Sequence, residues 1–155
     1  RYALLLDKDV LDYCLENDFL LNVSLDGNKE SNLLNRCNEE EFNKVLSNIK
    51  SAIKKGGKVI TNYVITPNNI DYYYDGIEFF IKNGIHDICL MFNYDAIWKK
   101  TDIDKCRREH NRVVSLLVDV DDYIKVFPFE NKVKAIVSKT EVKEVKKLKK
   151  LSHYS

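Results

Sequence analysis

A chain of 155 residues is long enough to bury one substantial core, and its 25 Lys and Arg balance 24 Asp and Glu. That near-neutrality excludes a surface coated in basic charge for nucleic acid, and also an acidic disordered chain. Hydrophobic residues make up 45%, with only five Gly and two Pro, which excludes collagen-like and flexible low-complexity chains.

In chain order, Val10, Leu11, Cys14 and Leu15 recur at helical spacing and predict a first helix over Asp9–Glu16. Asn17-Asp18 breaks it. Phe19–Leu25 then reads as a strongly apolar strand, of the kind found in parallel sheets with helices on both faces. Asp26-Gly27 ends the strand, and a polar loop is expected to about Asn38. Asn38 can cap a second helix whose Glu39, Glu40 and Glu41 suit the positive end of the helix dipole. Phe42, Val45, Leu46, Ile49 and Ile53 form its apolar stripe, and Lys54-Lys55-Gly56-Gly57 suits its exit.

Lys58–Ile65 follows as a strand, closed by Thr66-Pro67-Asn68-Asn69. A helix over Ile70–Asn83 buries Tyr73, Tyr74, Ile77, Phe80 and Ile81, and Gly84 ends it before the strand Ile85–Phe92. Strand, loop and helix thus repeat, which predicts βαβ crossovers and a parallel sheet.

Beyond Phe92 the pattern loosens. Asp102–Val118 reads as a helix with Cys106, Val113, Val114 and Leu117 inward. Tyr123–Phe129 and Lys132–Ser138 read as two strands, a candidate hairpin, and Thr140–Leu151 as a last helix. The expected fold is therefore α/β: consecutive βα units over residues 1–95 in a partial parallel barrel or open sheet. Residues 96–155 form a less regular extension of the same domain. Eight Lys against two Glu between Asn131 and Lys150 make a local basic patch. Its interleaved valines favour a solvated helix face over a nucleic-acid site.

Cys14, Cys37, Cys89 and Cys106 contain no C-x-x-C pair and no His at zinc-ligand spacing. Cys14 and Cys89 fall in apolar patterns and are expected as buried, reduced thiols. No signal peptide or bilayer-length apolar run is present, so no membrane partner is expected and the default compartment is a reducing cytoplasm. Because the chain opens on Arg1 and an apolar run, Leu4-Leu5-Leu6, it reads as a piece of something longer. Exposed strand edges would then make the isolated chain self-associate.

No P-loop, G-x-G-x-x-G, G-x-S-x-G or H-E-x-x-H motif occurs, and His86, His110 and His153 are scattered. One segment carries more. Val23-Ser24-Leu25-Asp26-Gly27 sets Ser24 and Asp26 at the carboxyl end of a parallel strand, where α/β sheets and barrels bind ligands. At spacing i, i+2 both side chains face the same way. A hydroxyl and a carboxylate there suit ribose hydroxyls or the ends of an amino acid. The plain alternative is a turn at Asp26-Gly27 beside a satisfied serine.

The order of Leu4–Tyr13, Val23-Ser24-Leu25-Asp26-Gly27, Arg36, Phe42–Ile49, Lys58–Thr61 and Val64–Ile70 resembles one family. It is similar to the back half of a radical S-adenosylmethionine (SAM) core, as in SPASM-type peptide and protein maturases. Those show a strand ending S-x-D-G, a loop Arg, a helix F-x-x-V-x-x-x-I and a strand V-I-T-x-x-N. The resemblance covers about Leu4–Phe92 and implies that Ser24 and Asp26 contact the ribose and amino-acid end of SAM. Arg36 falls at the loop Arg, with Asn32-Leu33 where a His-Asp pair usually stands, and Leu90 and Met91 fall where a strand flanks the adenine.

The resemblance implies SAM and a 4Fe–4S cluster as cofactors of an intact parent acting on a peptide or protein. Neither the C-x-x-x-C-x-x-C cluster motif nor the Gly-Gly-Glu element occurs here, so this chain alone is expected to hold no cluster and to be inactive. The alternative is a non-catalytic α/β module that binds a peptide or partner protein.

Overall fold

The computed structural model describes residues 6–120 and 124–128. The first helix, α1 (Lys8–Glu16), starts where the Asp7 carboxylate accepts the Val10 N–H at 2.9 Å. Strand β1 (Leu21–Ser24) begins two residues later than its apolar run, leaving Phe19 and Leu20 exposed. Residues expected as loop contain a short helix, α2 (Lys29–Asn35), capped by the Asn28 side chain. Next comes α3 (Glu39–Lys54), where Asn38 and Glu41 cap one another's backbone N–H groups in a capping box.

After β2 (Val59–Ile65), a 3-10 turn over Ile70–Tyr72 leads into α4 (Tyr73–Lys82), so the single helix expected there is two pieces. Strand β3 (Asp87–Phe92), helix α5 (Lys100–Asp119) and strand β4 (Lys125–Phe127) complete the order.

The four strands lie in the order β1-β2-β3-β4 and every pair is parallel. The expected α/β repeat is therefore the fold, and it runs on past Phe92. Within the segment expected as a strand at Tyr123–Phe129, β4 joins the sheet as a fourth parallel strand, brought back alongside β3 by α5 as a crossover; the second arm of the candidate hairpin lies outside the described residues. Lys132–Ser138 and Thr140–Leu151 lie outside the described residues, as does the basic patch.

Strand alternation sorts the sheet into two faces. Val23, Tyr63, Ile65, Ile88, Leu90 and Val126 are buried with Phe42, Ile49, Ile77, Phe80 and Val113 of the helices. Their alternates, among them Ser24, Asn62, Val64, Cys89, Met91 and Phe127, stay half-buried or exposed. Helices on both faces were expected; among the described residues they cover one, and the sheet keeps an open face. Register stacks that face in rows: Asn22–Ile60–Asp87–Lys125, then Ser24–Asn62–Cys89–Phe127.

Tyr63 centres the core. Its ring meets Phe80 edge-on at 5.7 Å, its hydroxyl donates to the Tyr72 carbonyl at 3.0 Å, and burial pushes its phenol well above the ordinary range. No helix among the described residues is long and apolar enough to cross a membrane.

Candidate functional site at the carboxyl edge of the sheet

The strands β1, β2 and β3 all point their carboxyl ends at one open cleft of about 620 Å³. Asp26 lines it from beyond β1, Val64 and Thr66 from the end of β2, and Asn93 from the end of β3. Asn35 and Arg36 enter from the end of α2.

Asp26 is bound into the sheet. Leu25 N–H still donates to the Asn62 carbonyl, but the next ladder position is filled by a side chain: the Val64 N–H donates to Asp26 Oδ1 at 3.0 Å. The same oxygen accepts from Arg36 Nη2 at 2.9 Å. Only 3% of the Asp26 side chain is exposed, against 31% of Arg36, so the carboxylate is fixed and the guanidinium is half in the cleft. A charged, doubly bonded carboxylate in this position is preorganised, with no side-chain freedom left to lose on binding.

Asn32, fully buried on α2, holds the turn. Its Oδ1 accepts the Asp26 N–H at 2.9 Å, while its Nδ2 donates to the Gly27 and Asn28 carbonyls at 3.0 and 2.8 Å. A second buried amide, Asn69, stitches α2 to the exit of β2. It donates to Ser31 Oγ at 3.1 Å and to the Val64 carbonyl at 3.0 Å, and accepts the Thr66 N–H at 2.7 Å. From the sequence, Asn32 was noted only as a departure from the resemblance and Asn69 only as the last position of V-I-T-x-x-N; neither was expected to hold the site. A buried Asn has no periodicity to betray it, and its partners here lie up to 38 residues away.

The expected site residues divide. Asp26 and Arg36 meet at the cleft. Ser24 lies on the open face in the row below, paired in register with Asn62. Leu90 is 2% exposed and packs under the helices, whereas Met91 is 41% exposed beside Val64. Adjacent strand residues face opposite ways, so one ligand on the open face meets Met91 and not Leu90. The joint adenine-flanking role expected for these two therefore does not fit the pleat.

The cysteines lie on separate elements, all half-buried, so Cys14 and Cys89 are less enclosed than expected. Cys89 sits on the open face, in a shallow hollow with Asn22, Asn62 and Lys125. Burial pushes the Cys37 and Cys106 thiols up, with Glu41 adding to the effect at Cys37, which keeps both protonated and poorly nucleophilic at neutral pH.

No family model and no curated protein matches this sequence. Solved structures do. "Native anSMEcpe with bound AdoMet" is 19% identical with a TM-score of 0.69, over 86% of this chain and 40% of that one. The same protein with bound AdoMet and Kp18Cys peptide matches at 19% identity and a TM-score of 0.69, over 86% of this chain and 41% of that one. Its complex with AdoMet and the Cp18Cys peptide matches equally. The chain thus spans about two fifths of the length of the structures it matches. At this identity the likeness is one of fold, and the chain has the parallel βα-repeat fold of that protein's matching part.

Proposed function

We propose that this chain is a segment of a radical SAM enzyme acting on a peptide or protein, and that its cleft contacts the ribose and amino-acid end of SAM. The observation that carries the proposal is the fixed Asp26 carboxylate, paired with Arg36, at the carboxyl edge of β1. It stands within a fold matched by anSMEcpe, a SPASM/radical SAM anaerobic sulfatase-maturating enzyme.

The charges support it. Among the described residues Asp26 and Arg36 are the only ionisable ones lining the cleft, and they pair, so its floor is close to neutral. A floor with no spare cation does not suit a nucleoside polyphosphate, which needs several cations or a glycine-rich cradle, whereas SAM carries no phosphate and is a net monocation. Ser24, Asp26 and Arg36 would hold SAM, with Met91 at its side. When bound, SAM supplies a radical, formed by reductive cleavage, that takes a hydrogen from substrate. Among the described residues no three His, Cys, Asp or Glu stand close enough to hold a metal ion. The sequence also lacks C-x-x-x-C-x-x-C, and in this proposal other polypeptide would hold the cluster and the chain alone would be inactive.

Equilibrium dialysis of the full chain with radiolabelled SAM tests the proposal. Saturable binding is expected, displaced by S-adenosylhomocysteine and not by ATP, with Asp26→Asn at least tenfold weaker. Equal displacement by ATP, or no SAM binding by a folded chain, overturns it and favours the non-catalytic peptide-binding module.

The flank of β1 yields a second expectation. Among the described residues its outer edge is unpaired in the sheet, and Val10, Tyr13, Phe19 and Leu20 are exposed, with Tyr13 and Phe19 meeting edge-on at 6.0 Å. Open edges bordered by apolar side chains drive association. Sedimentation velocity at rising concentration should show dimers or larger species, reduced in Phe19→Ser/Leu20→Ser. A strict monomer at every concentration counts against the expectation.

A further inference from the structure

We propose that the mouth of the cleft grips a bulky apolar side chain of a peptide, between Ile97 on the β3–α5 connection and Leu34 on α2. This inference rests on the functional reading above and names the kind of substrate the site accepts.

Tyr94 and Ile97 are the most exposed large apolar side chains among the described residues, at 89% and 88%. Exposure of this degree usually marks a loose loop, but this connection is anchored. Asn93 N–H donates to the Ile65 carbonyl at 2.9 Å, and Asn93 Oδ1 accepts the Asp95 N–H at 3.0 Å. Trp98 Nε1 donates to the Asn93 carbonyl at 2.8 Å, and the indole packs on Phe92, which packs in turn on buried Tyr73. The turn is thus held from beneath while presenting Tyr94 and Ile97 outward.

Ile97 faces the same cleft as Leu34, itself 52% exposed. Two apolar lips therefore stand over a floor that is polar and neutral. That floor carries the carboxamides of Asn35, Asn68 and Asn93, groups that each offer both donors and acceptors, as a peptide backbone does. An apolar side chain between the lips, with its backbone on the amides, satisfies both halves of the surface. A lipid would leave Asn35 Nδ2, buried with no hydrogen-bond partner among the described residues, still unpaired, and a nucleic acid would find among the described lining residues a single, already paired, cation.

Display of a random heptapeptide library against the immobilised full chain tests this. The expected result is a consensus with Leu, Ile, Met, Phe or Trp at one fixed position. A fluorescein-labelled consensus peptide should bind Leu34→Ser/Ile97→Ser at least tenfold more weakly by anisotropy, with the thermal melt unchanged. Replacing the apolar consensus residue by Ser should cause a similar loss on the unsubstituted chain. Overturning results are the absence of a consensus, a consensus bound equally by the double variant, or a double variant whose only change is loss of self-association. Retained SAM binding alongside any of these defeats the inference alone; loss of SAM binding by the unsubstituted chain defeats the functional reading itself.

Discussion

Replacing Gly27 with alanine is expected to destabilise the fold by about 2–5 kcal/mol. Two costs add. Gly27 has φ +79, a left-handed conformation in which an L side chain is strained by about 1–2 kcal/mol. An added Cβ would also lie 2.8 Å from the Gly76 Cα and 2.9 Å from Tyr63 Cζ. Neither neighbour can retreat: one is helix backbone, and the other is a fully buried ring whose hydroxyl is tied to Tyr72. Overpacking of this kind costs about 1–3 kcal/mol. Urea unfolding should show the loss as a lower midpoint at unchanged slope.

The comparison that isolates the packing cost is Gly76→Ala, whose Cβ would sit 2.6 Å from Tyr63 Oη. Alanine regains about 1 kcal/mol of helix propensity there, so its net cost should be smaller. Tyr63→Phe should partly relieve Gly76→Ala, because the nearest atom is the hydroxyl, and should do little for Gly27→Ala. A Gly27→Ala chain as stable as the original would show that the turn can reshape, and would remove the argument that Gly27 sets the site.

The fold was legible where burial follows period. Val59, Tyr63 and Ile65 alternate as a half-buried strand does, and Phe42, Val45 and Ile49 recur as a helix stripe does, so β2 and α3 fell within a residue or two of their expected limits. Helix α2 was missed because it has no such stripe. Leu33 and Leu34 are exposed, and its buried residues are Ser31 and Asn32, held by hydrogen bonds and not by apolar packing. Strand β4 was seen, but its pairing with β3 was not. Three residues carry no record of which neighbour they join, and the partner is decided by where α5 returns the chain.

The site was half legible for the same reason. Asp26-Gly27 announces a turn at a strand end, and Arg36 announces a charge near it. That one carboxylate oxygen would complete the β1–β2 ladder and take the guanidinium together depends on Val64, 38 residues on. Asn32 and Asn69 stand at positions the resemblance touches, but nothing in the sequence says that they are buried or what they bond. Their role exists only once α2 and the exit of β2 are brought side by side.

Removing the Asp26 side chain should therefore act on stability as well as on ligand binding. Asp26→Ala leaves the Val64 N–H without its acceptor in a part-buried ladder, which costs about 1–3 kcal/mol. The guanidinium of Arg36 loses its partner too, but it is 31% exposed and can turn to water, so its share is at most about 1 kcal/mol. The sum, about 1–4 kcal/mol, is a large part of the stability of an ordinary domain. Asp26→Asn keeps an oxygen for Val64 and gives up only the charge, so it should fold nearly as well while still losing ligand. Arg36→Ala should be mild for stability, and the double variant with Asp26→Ala should cost little more than Asp26→Ala alone. Chemical denaturation of the four chains separates these contributions. If Asp26→Ala and Arg36→Ala proved equally costly, the ion pair and not the ladder bond would hold the edge, and Asp26 would be a surface charge partner with no special claim on a ligand.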